Sequence, residues 1–349
     1  MDPLILLVGF GEPPEPDPTA VEAYLERIFL ENMDIEDDVP AEAARERAAE
    51  LAKRRLPGLL EEYEEIGGSP LQAQLQGHAD RLTQTLNERG LPGDVAIATQ
   101  YFDPSIPDAV EAAHEDGTDH VIILPMYPLC GPSTTVAAIA SVTEAIEDLD
   151  DWEPTVSPIG GWHRHPRYNR LRVAQINRYL DENGIDLEDD DVELVFSAHG
   201  TPVHYLEAGS RYEQYVEEYC ETQSSLLGID TYTLGYQNHE SRGVEWTQPD
   251  IETAVEAVDA EHIVVDPVSF IHEQSETLSE LDIELAEEAN EAGLAFDRVP
   301  VPHDNPVLAE VLADLVEPLV AGFADSYYGF RGCQCSNTPG TRCLCAPLS

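Results

Sequence analysis

The sequence has very few basic residues, and lysine is almost absent from it. Lys53 is the only lysine, and 18 Lys and Arg stand against 69 Asp and Glu, so the formal net charge is −51. Proteins that bind nucleic acid or anionic membranes need clustered basic side chains, so the composition argues against both partners. Salt screens the repulsion among so many carboxylates, and we therefore predict the salt-rich cell interior of a halophile.

Long hydrophobic runs are also missing. No apolar run approaches the roughly 20 residues needed to cross a bilayer, so we expect no integral membrane segment. The start, MDPLILLVGFG, has an acidic residue at position 2 and too short an apolar run for a signal peptide, which predicts a first β-strand and a cytoplasmic protein. Disulfides are rare in that compartment, where clustered cysteines are more typically metal or cluster ligands.

The chain does contain a regular alternation of short β-type runs and longer amphipathic segments. This alternation predicts βαβ units, whose parallel sheets are buried on both faces. The strand-like runs cover residues 4–10, 95–102, 120–128, 155–162, 192–200, 231–238, 262–270 and 295–302. The clearest helix-like segments cover residues 70–90, 133–149, 166–182, 210–227, 250–260, 276–292 and 306–323.

The eight strand-like runs fall into two sets of four with similar local features. LLVGFG in the first set corresponds to LVFSAHG in the second, and VIILPMYP corresponds to IVVDPVSF. A chain of 349 residues is also long for one compact core. We therefore predict an α/β protein of two similar doubly wound domains, residues 1–157 and 158–304, related by duplication and separated by a cleft.

Three segments lie outside this repeat. Residues 18–63 are rich in Glu, Ala and Leu and predict two helices over the mouth of the first domain, either as a solvated hairpin or as a substrate-facing lid. Residues 305–323 predict a helix that packs back on the first domain. Residues 324–349 form a cysteine-rich tail without core periodicity, so something other than hydrophobic burial must order it.

One histidine, His199, stands where a strand meets a glycine and a proline, in LVFSAHGTP. A lone histidine at a strand end is more often structural than functional. A partner is available after the corresponding strand, where Glu276, Glu280 and Glu284 follow one another at i+4 spacing; such a row is also typical of a solvated acidic face. A neutral imidazole opposite Glu276 could accept protons and bind a divalent ion, with the row as a relay.

These residues carry a resemblance to a known family. FSAHGTP resembles the strand-end histidine motif of ferrochelatases, and VDPVSFIHEQSETLSELDIE is similar to that family's strand, polar turn and Glu-rich helix. The segments ILLVGFGEP, YEEIGGSPL, LPMYPLCGPSTT and GYQN with EWTQPD follow in the family's order, up to about residue 323. The resemblance implies two Rossmann-like halves that clamp a porphyrin, and an enzyme of heme biosynthesis that inserts Fe²⁺ into it.

The same resemblance implies roles for particular residues. His199 matches the metal-binding and proton-accepting histidine, Glu276 matches the carboxylate that faces it, and Glu280 and Glu284 fall on the family's acidic path. We expect catalysis by His199, Glu276, Glu273 and Glu280, and metal contacts from His199, Glu276 and Glu284. The expected porphyrin walls are Phe10, Tyr101, Trp246 and Phe270.

The sequence departs from the family pattern at three places. The family has an acidic residue and then a histidine before the Glu-rich helix, whereas this chain has His272, Glu273 and Gln274. Gln100 replaces an arginine, and Phe10 stands where relatives that use coproporphyrin have a tyrosine. Protoporphyrin IX is therefore the expected substrate and coproporphyrin III the alternative; a cobalt or nickel chelatase for sirohydrochlorin and an inactive heme or iron–sulfur protein are less favoured.

The tail carries a second candidate site. Cys333, Cys335, Cys343 and Cys345 form a C-x-C-x₇-C-x-C pattern, which suits thiolate ligation of zinc or of an iron–sulfur cluster. Some ferrochelatases hold a [2Fe–2S] cluster with C-terminal cysteines and one cysteine from the body, and Cys130 lies close to where that body ligand occurs. We expect a [2Fe–2S] cluster, with zinc as the alternative and free or disulfide-paired thiols as the remaining possibility. The sequence makes no prediction of oligomeric state.

Overall fold

Two four-stranded parallel sheets form the centre of the protein in a computed structural model, which describes residues 2–32, 40–189, 191–238 and 244–347. The first sheet has the order β2-β1-β3-β4 and the second β6-β5-β7-β8, so the two halves repeat one topology. The predicted α/β fold with two similar sheets is confirmed. The strands are β1 (Leu4–Gly9), β2 (Asp94–Thr99), β3 (His120–Pro125), β4 (Thr155–Pro158), β5 (Val192–His199), β6 (Thr233–Gln237), β7 (His262–Pro267) and β8 (Ala295–Arg298).

Helices cover both faces of each sheet, as apolar parallel strands require. They are α1 (Pro18–Asn32), α2 (Ala41–Ile66), α3 (Leu71–Arg89), α4 (Ile106–Glu115), α5 (Ala137–Glu147), α6 (Pro166–Asn183), α7 (Val203–Glu207), α8 (Tyr212–Leu227), α9 (Ile251–Glu256), α10 (Ala286–Glu291), α11 (Pro306–Val320) and α12 (Asp325–Tyr328). In the described part of the chain, none of them is long and apolar enough to cross a membrane.

Two helices begin with a π-helical segment, one in each half. Residues Pro132–Val136 lead into α5, and residues Glu276–Leu285 lead into α10. The sequence predicted helices at both places, because apolar periodicity over so few residues does not distinguish π from α winding. Both segments follow the third strand of their half in chain order, so the repeat extends to this irregular feature.

The central core is shared by the two halves. Ile5 and Leu7 of β1 belong to the same buried apolar cluster as Phe196 of β5, and so does Trp162 from the segment that links the sheets. Helix α11 lies against α3 and α6, and its apolar face is fully buried. Arg89 of α3 adds ion pairs to α11, with acceptors at Glu310, Asp314 and Glu317.

The structure brings in elements that the sequence patterns did not predict. Helix α4 is capped by Ser105, whose hydroxyl accepts from Asp108 N at 3.2 Å, and the tail contains a short antiparallel pair, β9 (Arg331–Gly332) and β10 (Arg342–Cys343). The predicted two helices of residues 18–63 are present, although α2 ends at Ile66.

Some predicted segments fall partly outside the described residues. These are 33–39 of that insertion, 239–243 of the GYQN to EWTQPD segment and 348–349 of the tail. The limits 1–157 and 158–304 stay predictions.

Candidate active site

His199 and Glu276 meet at the carboxyl ends of β5 and β7. His199 is the last residue of β5, and Glu276 is the first residue of the π-helical segment that follows β7. Nε2 of the imidazole lies 3.1 Å from Oε1 of the carboxylate, and their side chains keep 28% and 16% of their surface exposed. A strand-end histidine and a helix-start glutamate thus face each other with limited access from solvent.

The surroundings of His199 fix which ring nitrogen is reactive. Nδ1 lies 2.6 Å from the carbonyl oxygen of Gly200, which can only accept, so Nδ1 carries a hydrogen and Nε2 is the nitrogen turned to Glu276. The His199 backbone is held by Ser269 Oγ, which accepts from its N–H at 2.9 Å, and by Tyr212 OH, which donates to its carbonyl at 2.9 Å. The ring therefore has one fixed orientation.

The residue after His199 must be glycine, because neighbouring atoms leave no room for a side chain. A Cβ atom on Gly200 would lie 1.8 Å from Oδ1 of Asn238 and 2.9 Å from the carbonyl oxygen of Gln237. A side chain at this position would therefore displace the end of β6. This explains why the strand-end histidine is followed directly by glycine.

Burial and charge act in opposite directions on His199. Burial alone lowers the pKa of an imidazole, but the Glu276 carboxylate and its hydrogen bond outweigh it and raise the pKa of His199 to about 9. The sequence predicted a neutral imidazole, whereas this geometry favours an imidazolium–carboxylate pair at neutral pH. An arriving cation would repel the shared proton and convert His199 to the neutral form.

Two glutamines hold the acidic side of the site. Gln274 donates through Nε2 to Oε2 of Glu276, so the glutamine at the family's histidine position orients the carboxylate. Gln237 of β6 donates to the Glu276 carbonyl at 3.1 Å and to Oε2 of Glu280 at 3.0 Å. Burial and the charge of Glu276 raise the pKa of Glu280 to about 8. The second carboxyl of the row is thus mostly protonated at neutral pH.

The remaining predicted acids lie elsewhere. Glu284 is exposed, beside Glu62 and Arg55 of α2. Glu273 is buried and accepts from Arg298 at 3.2 Å and from the N–H of Val301 at 3.1 Å. Glu273 thus forms a buried ion pair with Arg298, and its expected part in catalysis stays a prediction.

The four predicted porphyrin walls occupy two groups. The rings of Trp246 and Phe270 each lie 6.5 Å from the His199 ring. Phe10 and Tyr101 form a second pair with ring centroids 4.5 Å apart at the ends of β1 and β2. Tyr101 is buried under α1 and α2, so it supports Phe10 and does not itself offer an open surface.

Sequence reasoning missed Glu12, a buried acid close to the pair. It follows Gly11, two residues beyond the end of β1, and its carboxylate accepts hydrogen bonds from the N–H and hydroxyl of Ser275. Tyr24 and Tyr63 of the helical insertion lie near it and near Glu276. The signal was present in GFGEP, where an acidic residue comes three positions after the glycine that ends the strand. The insertion therefore covers the acidic side of the site, as a substrate-facing lid would.

The cysteine tail docks beside the first sheet and brings its four thiols together with that of Cys130. Cys130 is in hydrogen-bonding contact with Cys333 and Cys335, and Cys333 also with Cys343. Hydrogen bonds with its neighbours lower the pKa of Cys333 and, with burial, raise the pKa of Cys130. Cys345 lies beside Cys343, whose sulfur accepts from the Cys345 N–H at 3.3 Å, and its own sulfur lies 2.8 Å from Nδ1 of His163.

Two glycines make room for this tail. A Cβ on Gly160 would lie 3.0 Å from Cβ of Cys343, and one on Gly161 would lie 2.8 Å from both Cβ of Cys130 and the sulfur of Cys345. The N–H of Leu344 donates to the carbonyl of Gly161 at 3.1 Å, so the tail continues the edge of the sheet. All six cysteines are free thiols. Within the described ranges, no three His, Cys, Asp or Glu side chains are spaced as a ready-made metal site.

Comparison with solved structures gives the class of fold. SirB from Bacillus subtilis with Fe³⁺ has a TM-score of 0.51 to this chain at 12% identity, covering 94% of this chain and 98% of that one. The sirohydrochlorin chelatase SirB from Bacillus subtilis subspecies spizizenii in complex with cobalt gives 0.50 at 10% identity, covering 92% and 97%. At these identities the likeness shows the fold alone, which is the fold of chelatases.

Sequence comparison gives the family. The sequence model of the ferrochelatase family matches residues 4–319. The ferrochelatase of Trichodesmium erythraeum is 36% identical over 266 residues, which are 73% of this chain and 67% of that protein. The ferrochelatase of Picosynechococcus sp. is 33% identical over 323 residues, 89% of this chain and 81% of that protein. The chain belongs to the ferrochelatase family of metal-inserting enzymes, as the resemblance of its motifs indicated.

Proposed function

We propose that this chain inserts Fe²⁺ into protoporphyrin IX and so forms protoheme. The observation that carries the proposal is the contact of His199 Nε2 with Glu276 Oε1 at 3.1 Å, in a protein of this family. The partly exposed ring of Trp246 beside His199 offers a flat apolar ligand a surface to pack on, and the buried Phe270 ring supports the site.

Metallation requires two N–H protons to leave the porphyrin while Fe²⁺ exchanges water for nitrogen. Glu276 attracts the cation, and the cation's charge drives the shared proton off Nε2 of His199. The freed Nε2 can then accept a pyrrole proton as a general base. Gln274 holds Oε2 of Glu276 and Gly200 holds Nδ1 of His199, so the carboxylate and the imidazole keep their orientation while Oε1 and Nε2 react.

The row of carboxyls offers the protons a way out. Glu280 has a pKa of about 8, so it can pick up and release a proton near neutral pH. Gln237 holds Glu280 at 3.0 Å on the same side as Glu276, and Glu284 reaches the surface beside Glu62. The two protons of each turnover would therefore leave along Glu276, Glu280 and Glu284.

The choice of porphyrin follows from charge. Coproporphyrin III carries four propionates and protoporphyrin IX two, and cations near the predicted cleft are few. Gln100, in place of the family's arginine, accepts from Tyr127 OH at 2.7 Å and has no charge to offer a propionate. Arg27 is half-exposed and already lies 3.4 Å from Asp103. Such a site favours the substrate with fewer carboxylates.

Anaerobic incubation in molar KCl with Fe²⁺ and each porphyrin, followed by absorbance, tests this proposal. We expect kcat/KM to be higher for protoporphyrin IX than for coproporphyrin III. A higher value for coproporphyrin III would overturn the substrate assignment. Metallation no faster than the protein-free control with both porphyrins would overturn the chelatase function itself.

We also propose a [2Fe–2S] cluster held by four of the five clustered thiols, Cys130, Cys333, Cys335, Cys343 and Cys345, with zinc as the alternative. The mutual contacts of these thiols and the space left by Gly160 and Gly161 support this set, and thiolates are the ligands both groups prefer. When bound, the cluster would tie the tail to the body. Protein purified without oxygen should contain iron and acid-labile sulfide; a colourless protein with zinc alone would contradict the cluster.

A cytoplasmic location and a salt-rich interior are part of the same proposal. The six free thiols support a reducing compartment. The net charge of −51 supports high salt.

A further inference from the structure

The turn that precedes Glu276 is held by the opposite half of the protein. It consists of His272, Glu273, Gln274 and Ser275, and we refer to it as the HEQS turn. Three residues of the first half reach it: Glu12 binds Ser275, Gln74 Oε1 accepts from the N–H of Glu273 at 2.8 Å, and the His78 ring lies 4.9 Å from the His272 ring. The start of the π-helical segment is thus fixed from across the cleft.

Glu12 makes the most unusual of these contacts. Its side chain is only 1% exposed, and burial raises the pKa of its carboxyl, an effect that hydrogen bonds from Ser275 and Ser69 oppose. Burying a carboxyl is costly unless hydrogen bonds compensate it. Here Oε2 accepts from the N–H of Ser275 at 3.2 Å, and Oε1 accepts from the Ser275 hydroxyl. Both carboxylate oxygens therefore hold Ser275, and Ser69 adds a further hydrogen bond to the carboxyl.

Ser275 connects the contact with Glu12 to the active site. Ser275 is directly followed by Glu276, whose Oε1 faces His199 and whose Oε2 accepts from Gln274 of the same turn. The first N–H groups of a helix have no partner within the helix, and Glu12 supplies an acceptor for one of them. A shift of Ser275 would therefore move Glu276 relative to Nε2 of His199.

We propose that Glu12 is a positioning residue for metallation, which orients Glu276 toward His199 by holding Ser275 from the other half of the protein. The proposal rests on the proposed function of the pair. It assigns Glu12 no contact with the metal or the porphyrin. Its effect passes through the backbone of the HEQS turn.

Variants at both ends of the contact test the proposal. We expect Glu12→Ala and Ser275→Ala each to lower kcat for metallation roughly 10- to 100-fold, the range for residues that orient metal-binding groups. Glu12→Gln should keep most of the rate, because an amide oxygen can still accept from the Ser275 N–H. The double variant should be no slower than Glu12→Ala, since that variant has already lost the hydroxyl contact that Ser275→Ala removes. Porphyrin affinity, measured by fluorescence quenching, should be unchanged.

The control is Glu15→Ala, which removes an exposed carboxylate from the same loop and should leave kcat at the wild-type value. Wild-type kcat in Glu12→Ala would overturn the proposal. The proposal would also be overturned if Glu12→Ala and Glu12→Gln lost the same amount of kcat and if porphyrin affinity fell by an equal factor. That pattern indicates a collapsed cleft. Absence of metallation by the wild-type protein would instead overturn the proposed function, and the role of Glu12 with it.

Discussion

Two hydrogen bonds, one to His199 and one to Glu276, determine which atoms of the pair face each other. Gly200 accepts from Nδ1 of the imidazole, and Gln274 donates to Oε2 of the carboxylate, so Nε2 and Oε1 are left facing each other. In this state Glu276 keeps His199 charged. The same carboxylate that attracts a cation thus also holds the proton that the cation must displace.

Replacing Glu276 by glutamine should remove the cause of the raised pKa of His199. In Glu276→Gln, burial remains and the carboxylate charge is gone, so we expect the pKa to fall from about 9 to the ordinary imidazole value of about 6.5 or lower. NMR titration of the imidazole C–H signals, assigned with His199→Ala, measures it. Glu284→Gln, at the exposed end of the row, should leave the value unchanged. A pKa still near 9 in Glu276→Gln would contradict this account.

At the residue scale, the sequence predicted the members of the pair but not the groups that hold them. His199 and Glu276 were visible because strand ends in α/β sheets meet at one edge and because their motifs resemble the family. Gln237 and Glu12 act through contacts between strands and halves that lie far apart in the chain, which no local pattern records. The charge state of His199 depends on a distance of 3.1 Å, so it too required the structure.

The tail is the element whose order depends most on its neighbours. It has few apolar residues of its own, and its backbone continues the edge of the first sheet beside Gly160 and Gly161. The sequence predicted a metal site from the cysteine spacing and pointed to Cys130 through the family resemblance. It did not predict that Cys345 lies between Cys343 and His163, because that placement depends on how the tail folds back on the body.

A methyl group at residue 161 should undock the tail. In Gly161→Ala the new Cβ would lie 2.8 Å from Cβ of Cys130, which has no room to move in the core. We expect bound iron and acid-labile sulfide to drop by more than half per protein, measured after anaerobic purification. Gly332→Ala is the matched control, since nothing lies within 4 Å of its Cβ position. Equal iron and sulfide in the two variants would show that the close packing of the tail on Gly161 does not hold the tail in place.

At the scale of the whole molecule, the repeat explains why one site forms between two similar halves. Both sheets have the same strand order, and both carry a π-helical segment after their third strand. Only the second half has the histidine and the acidic row, whereas the first half supplies Glu12, Gln74 and the helical insertion. The fold was predictable because apolar runs and their spacing specify parallel sheets, but the contacts between the halves were not.

The net charge of −51 predicts a stability that depends on salt. The Debye length grows from about 3 Å at 1 M to about 30 Å at 0.01 M, so carboxylates repel one another over much longer distances in dilute buffer. We expect the free energy of unfolding, measured with urea, to fall steadily as KCl is lowered from molar to millimolar concentration. An uncharged denaturant is needed because guanidinium would itself screen the charges. A free energy that does not change with KCl would contradict the inferred adaptation to salt.

The central claim is that His199 carries out metallation and does not merely complete a strand end. Its most direct test is the anaerobic single-turnover rate of Fe²⁺ insertion into protoporphyrin IX by the wild-type protein, His199→Ala and the control His114→Ala, whose ring packs on Trp152 of the first half. The account predicts a rate about 10²- to 10⁴-fold lower in His199→Ala, the usual contribution of a general base, with porphyrin binding retained and the control unaffected. Insertion by His199→Ala at the wild-type rate would contradict it.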